Sequence, residues 1–316
     1  MTTRPVVSIV TPSYNQGRYF EETIRSVLEQ DYEPLEYLIV DGGSTDGSVD
    51  TIRRYEDRLA WWTSEPDRGQ AHALNKAFAR ARGEYVGWLC ADDTLLPGAV
   101  SRLVAALEAD RELVLAYGDA IYTDEDSQRK HMGYSGPWDP ERMVREAQVP
   151  NKQPATLYTR RGWEQAGPLD EDAWYYLDFQ LTVRLAGAGR GVHVPEPFAT
   201  YRIHTESKSI GMPARKAADA VRCAERFMPS ESVPEELRPF VRDGRASLYR
   251  IAGANYYAAL ELGRARAAYV RALALAPRRV LLRRVAKSFL PRPVVRQLRA
   301  RRVAALGMGG DGAAGG

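Results

Sequence analysis

Two carboxylates stand side by side at Asp92-Asp93. Neighbouring carboxylates repel each other, and a divalent cation relieves that repulsion. Mn²⁺ or Mg²⁺ needs few protein oxygens when an anionic substrate such as a diphosphate completes its shell. Asp is also a favoured helix cap, and Thr94 and Pro97 follow closely, so the pair taken alone reads first as a helix start. What changes that reading is company. Three further polar motifs precede it: Thr11-Pro12-Ser13-Tyr14, Asp41-Gly42-Gly43-Ser44-Thr45-Asp46, and Glu65-Pro66-Asp67.

Each motif follows a segment patterned as a β-strand. The apolar runs predict strands over 6–11, 35–40, 59–63 and 85–89, with a fifth over 114–117. Between them lie helical stripes: Phe20, Ile24, Val27 and Leu28; then Val49, Ile52 and Tyr55; then Ala71, Leu74 and Phe78. Pro97 is expected in the first turn of a helix reaching Ala109, where its missing N–H costs nothing. Alternating strands and helices predict an α/β fold with a mostly parallel sheet flanked by helices. The strand ends of such a sheet share one edge, and ligands bind there. Four motifs spread over about eighty residues therefore converge on one cleft. Glycines in the second motif let a ligand approach the backbone, and Asp41 can accept a hydrogen bond from a base or ribose. Asp46 reads as a cap for the next helix. Asp67 precedes a helix carrying Arg68, Gln70 and Lys76, of which Arg68 or Lys76 can meet a phosphate.

From 119 to 201 the pattern is less regular, with a helix over 177–185 and a short strand over 191–194. The expected division is a first domain over 1–212, split at 118 into a nucleotide half and an acceptor half. A helical extension follows over 213–316. Within it Tyr249, Gly253, Tyr256, Ala265, Tyr269 and Pro277 have the spacing of one tetratricopeptide-like helix pair. The final GMGGDGAAGG is expected to be disordered.

The net charge of +3 hides an asymmetry. Residues 278–302 hold ten Lys/Arg and no acidic side chain, leaving residues 1–277 with 34 basic and 40 acidic ones. Such a tail suits an anionic membrane surface, or else forms a helical cap with its arginines in water. The acidic body and the lack of a recognition motif argue against nucleic acid. Pro291 and Pro293 are expected to divide the tail helix. No run approaches the ~20 apolar residues of a membrane span. Cys90 and Cys223 form no disulfide framework and lack metal-ligand spacing. A cytoplasmic protein is expected, with the tail allowing a place at the inner face of the plasma membrane.

The segments TPSYNQGRYFEETIRSVLEQDYEPLEYLIVDGGSTDGS, EPDRGQAHALNKA and WLCADDTLLPGA strongly resemble the family 2 glycosyltransferases, which have the GT-A fold. NKQPATLYTRRGWEQAGPLDE, YLDFQLTVRLA and YRIHTESKS resemble that family's acceptor-side segments, so the resemblance covers about residues 5–210. It implies an inverting enzyme that uses a nucleotide-diphosphate sugar and Mn²⁺ or Mg²⁺. The donor-binding residues are then Thr11, Tyr14, Asp41, Ser44, Asp67, Gln70 and Asp92. Asp93 is the implied metal ligand, with His204 a further one, and Arg202 belongs to the same segment near the diphosphate or metal. The catalytic base maps onto Asp178, with a helix cap as the alternative role. The implied acceptor is a glycan or a lipid-linked molecule, in bacterial cell-surface polysaccharide or glycolipid assembly. Leu177, Leu74 and His72 depart from the residues common in the family at their positions, which bears on the donor's identity. Two rival readings are a nucleotidyltransferase and a non-catalytic scaffold. The first wants a Gly-rich basic loop after the first strand, where TPSYNQGR offers one glycine and Arg18.

Overall fold

The computed structural model describes residues 4–291, 293–295 and 297. The described residues fall into two compact units, one running to Pro140 and resuming over Gln148–Arg202, the other comprising Glu141–Ala147 and the chain from Ile203 onward.

The first unit opens with the alternation that the sequence predicts. In chain order it contains β1 (Val7–Ser13), α1 (Gly17–Leu28), β2 (Leu35–Asp41), α2 (Ser48–Arg54), β3 (Trp61–Ser64), α3 (Gln70–Phe78), β4 (Tyr85–Trp88), β5 (Thr94–Leu95) and α4 (Ala99–Glu108). Then come β6 (Leu113–Thr123), β7 (Arg129–Gly133), α5 (Pro140–Glu146, shared with the second unit), β8 (Thr156–Thr159), α6 (Arg160–Ala166), α7 (Leu177–Ala186) and β9 (Arg190–Arg202). The sheet order is β3-β2-β1-β4-β8-β6-β9-β5, with β7 on the side of β6. The strands β3, β2, β1 and β4 are mutually parallel. Beyond them β8 runs antiparallel to both β4 and β6, so the sheet is mixed.

Apolar side chains bury on both faces, as a sheet sandwiched between helices requires. Ile9, Ile39 and Leu157 meet Phe20 and Ile24 of α1 and Leu103 of α4 on one face. Val10, Val40 and Tyr158 pack with Leu74 of α3 and Leu181 of α7 on the other. Each such side chain contributes roughly 1.5–3 kcal/mol by burial. Two boundaries differ from the sequence reading. β1 continues two residues past Thr11, through Pro12 to Ser13, because its ladder with β2 persists to Ser13 opposite Asp41. Pro97 lies ahead of α4 rather than in its first turn, since Gly98 takes a positive φ before the helix begins at Ala99.

The second unit is helical. It holds α8 (Lys208–Gly211), α9 (Pro213–Arg222), α10 (Val241–Ala258), α11 (Leu262–Leu275) and α12 (Arg279–Lys287). α10 and α11 form a helix pair in which Tyr249, Tyr256, Ala265 and Tyr269 are buried. Gly253 permits the close approach, because a Cβ there would stand 2.5 Å from the Tyr269 ring. α12 buries Leu281 and exposes Val280 and Leu282. No described helix is long and apolar enough to cross a membrane. Residues 307–316, expected to be disordered, lie outside the described residues, as do residues 298–302 of the basic tail.

Candidate active site

Parallel register aligns Ser13, Asp41 and Ser64 in one row at the ends of β1, β2 and β3. Asp41 is fully buried there. Its Oδ2 accepts from the backbone N–H of Gly43 (3.1 Å) and Ser44 (2.8 Å) and from the Ser64 hydroxyl (2.7 Å), while Oδ1 accepts from the Ser44 hydroxyl at 2.5 Å. The protein thus supplies four donors, three of them on Oδ2, which leaves acceptor capacity on Oδ1. Ser13 Oγ, buried beside Asp41 in the row, has no hydrogen-bond partner among the described residues.

The glycine after Asp41 shows how tightly the motifs meet. A Cβ on Gly42 would lie 2.8 Å from Asp67 Oδ2 and 3.2 Å from Tyr14 Cδ2. Tyr14 is 63% exposed, so its ring is available to a ligand. Asp67 accepts from Gly69 N–H at 2.7 Å, which turns the chain into α3. Gln70 opens that helix and donates through Nε2 to Cys90 Sγ at 3.3 Å. The first three motifs therefore meet, and α3 links them to the fourth.

That fourth motif follows β4, the neighbour of β1. Ligand atoms of Cys90, Asp92 and Asp93 lie within 4.8 Å of one another. The cysteine corrects the reading from spacing, which found no metal-ligand pattern around it; the turn after β4 brings residues two and three apart together. Asp93 is only 3% exposed. Burial first, and then the charge of Asp92, push its carboxyl well above the usual carboxylate range. Close like charges in a buried turn are what a bound cation offsets, and two carboxylates match the oxygen preference of Mn²⁺ or Mg²⁺. The residues present fit such an ion.

Several residues singled out in the sequence have other surroundings than the sequence suggests. Thr11 is not at the strand end: it is fully buried, and its hydroxyl bonds the Tyr37 hydroxyl at 2.9 Å inside the core. Ser13 holds the strand-end position instead. Arg68 pairs with Glu171 and Lys76 with Glu65, so both cations already have acidic partners. His204 falls in the second unit, two residues beyond Arg202. Ser44 is turned toward Asp41 and Asn15, accepting the Asn15 N–H at 2.8 Å.

Asp178 lies in the first turn of α7, after Tyr176 at the cap position, so it does not cap the helix. It is half-buried, and its Oδ1 accepts the Phe179 N–H at 2.7 Å. A first-turn carboxylate is favoured by the helix dipole. Tyr158 is a near neighbour: burial, and after it the charge of Asp178, push its phenol up. The Tyr158 ring stacks on Trp88, the last residue of β4, at 5.4 Å.

The model of glycosyl transferase family 2 matches residues 8–164. The chain is 31% identical over 203 residues to the O-antigen biosynthesis protein RfbC of Myxococcus xanthus, covering 62% of this chain and 16% of that protein. It therefore spans a small part of that relative's length. Among solved structures, S. aureus TarS in complex with UDP-GlcNAc superposes with a TM-score of 0.66 at 14% identity, over 93% of this chain and 91% of that one. The mannosyltransferase PcManGT from Pyrobaculum calidifontis, in complex with GDP-Man and Mn²⁺, gives 0.59 at 23% identity, over 96% and 87%. These likenesses establish the GT-A fold.

Proposed function

Because residues 8–164 belong to glycosyl transferase family 2, we propose that this protein moves a sugar from a nucleotide-diphosphate donor to an acceptor hydroxyl, inverting the anomeric centre. One observation carries the reading. The Ser13–Asp41–Ser64 row and the Cys90–Asp92–Asp93 cluster stand at the ends of neighbouring parallel strands. In this reading Asp41 Oδ1 and Ser13 Oγ hold the base, while Tyr14, Asp67 and Gln70 line the donor pocket. Mn²⁺ or Mg²⁺, held by Asp93 with Asp92, would supply Lewis-acid neutralisation of charge on the leaving nucleoside diphosphate. Asp178 takes the proton of the acceptor hydroxyl, as a single displacement requires. The name of RfbC supports a product class in bacterial cell-surface polysaccharide or glycolipid, with a glycan or lipid-linked acceptor. PcManGT and TarS support GDP- and UDP-sugars as the first donors to try.

Donor binding tests the reading without knowledge of the acceptor. A panel of nucleotide sugars is screened by thermal unfolding with Mn²⁺ and with EDTA. A matching donor at a hundredfold excess over its Kd is expected to add about 2.7 kcal/mol of stability, and only with the cation. No shift from any UDP- or GDP-sugar in Mn²⁺ would count against it.

The same reading places the basic tail at an anionic membrane, on the cytoplasmic side. Val280, Leu282, Phe289 and Val294 are exposed among Arg278, Arg279, Arg283 and Lys287. Each charge near anionic headgroups contributes about 1 kcal/mol. The full chain is expected to sediment with anionic vesicles and not with neutral ones, and a chain ending at Pro277 to stay in solution. Equal, negligible sedimentation of both proteins rejects the membrane contact.

A further inference from the structure

Arg202 ends β9 with only 2% of its surface exposed, although arginine is seldom buried without partners. Its surroundings explain the burial. Nε donates to the Asp92 carbonyl at 2.8 Å. One terminal nitrogen donates to Ser127 Oγ at 2.7 Å and to the Asp124 carbonyl at 3.4 Å, the other to Glu22 Oε2 at 2.6 Å. The guanidinium lies over the Tyr19 ring, 4.6 Å from its centroid. The Arg202 backbone N–H meets Asp93 Oδ1 at 2.8 Å. Four of its five side-chain donors are therefore matched inside the protein. The buried Thr23 hydroxyl of α1 donates to the Asp93 carbonyl at 2.7 Å.

We infer that Arg202 is a positioning residue that shapes the Asp92-Asp93 turn for the cation, holding it from behind instead of touching the diphosphate. The inference rests on the reading of those carboxylates as cation ligands. Its logic is mechanical. Two carboxylates a few ångströms apart drift away from each other unless their backbone is fixed. Here the Asp92 carbonyl, the Asp93 carbonyl and one Asp93 carboxylate oxygen are each fixed by a donor, and Arg202 supplies two of the three. The planar fork also fastens the 124–128 turn and α1 to the same point. A lysine has no rigid fork to reach four acceptors at once, so retaining the positive charge does not retain the arrangement. The Ser13–Asp41–Ser64 row makes none of these bonds. Cation affinity should therefore depend on Arg202 while cation-independent nucleotide binding should not.

The experiment compares Arg202→Lys, Arg202→Met, Thr23→Val and Asp93→Asn with wild type in the full chain. Mn²⁺ affinity is read from the free-ion paramagnetic resonance signal, and UDP and GDP affinities are read in EDTA. Changes in the partners of metal ligands typically weaken binding by roughly 10–100-fold. Both Arg202 variants are expected to lose Mn²⁺ affinity on that scale, with nucleotide affinity in EDTA unchanged and no rescue by lysine. Thr23→Val removes only one anchor and should give a smaller loss in the same direction, which keeps the inference open to test if an Arg202 variant does not fold. Wild-type Mn²⁺ affinity in the folded variants, alongside a loss in Asp93→Asn, overturns the inference and spares the metal assignment. Wild-type affinity in Asp93→Asn overturns the metal assignment itself.

Discussion

Asp93→Asn is expected to lower turnover by at least ~10³-fold, the scale of losing several kcal/mol of charge stabilisation in the transition state. The substitution is nearly isosteric, and an amide oxygen can still accept the Arg202 N–H that Asp93 Oδ1 accepts at 2.8 Å. The fold should therefore survive, which circular dichroism and the melting temperature check. What disappears is one negative charge from the close Cys90–Asp92–Asp93 cluster. Removing it also removes the burial of a charge, and with it the repulsion from Asp92, that push the Asp93 carboxyl up, so stability should hold or rise slightly. Lost turnover in a protein of unchanged or greater stability is the signature of a functional carboxylate. Unchanged turnover would remove Asp93 from the metal site.

Asp178→Asn is expected to cut turnover by roughly 10²–10⁴-fold while leaving donor affinity nearly unchanged, since a general base acts on the acceptor. Asparagine retains an oxygen for the Phe179 N–H, so the first turn of α7 should remain intact. Asp178 lies past the helix cap, half-buried, and close enough to Tyr158 to shift its phenol. The comparison to make is kcat against the donor's dissociation constant measured in binding. A large loss of nucleotide affinity with preserved kcat would move Asp178 to the donor side.

Much of this site was legible in the sequence, because a parallel sheet turns a repeated strand-then-polar pattern into a spatial cluster. Asp41, Asp67 and the Asp92-Asp93 pair stand after successive strands as that pattern predicts, and Gly42 shows three of the motifs in near contact. The errors share a physical origin. The apolar run ends at Val10, so the sequence predicts a strand only to Thr11, yet Asn15, with a positive φ of 52°, makes the turn later and leaves Ser13 in the ladder. Arg202 gave no local signal of its buried anchoring, because its partners Asp92 and Glu22 lie 110 and 180 residues away in the chain. Cys90 shows no metal-ligand spacing with Cys223, although two aspartates of its own turn stand beside it. The antiparallel strand β8 was missed because Thr156–Thr159 is four residues long and follows directly on a Pro-containing turn. Short strands carry too few residues for alternation to register.

The central claim is that a cation at Asp92-Asp93 joins this chain to a nucleotide-sugar donor whose sugar it transfers. Release of nucleoside diphosphate from the donor selected by thermal unfolding, followed across a Mn²⁺ titration in EDTA-stripped protein, measures it most directly. No release is expected without the ion, with saturable release as Mn²⁺ is added and loss of that response in Asp93→Asn. Release at an equal rate in EDTA, or an identical Mn²⁺ response in Asp93→Asn, would contradict it.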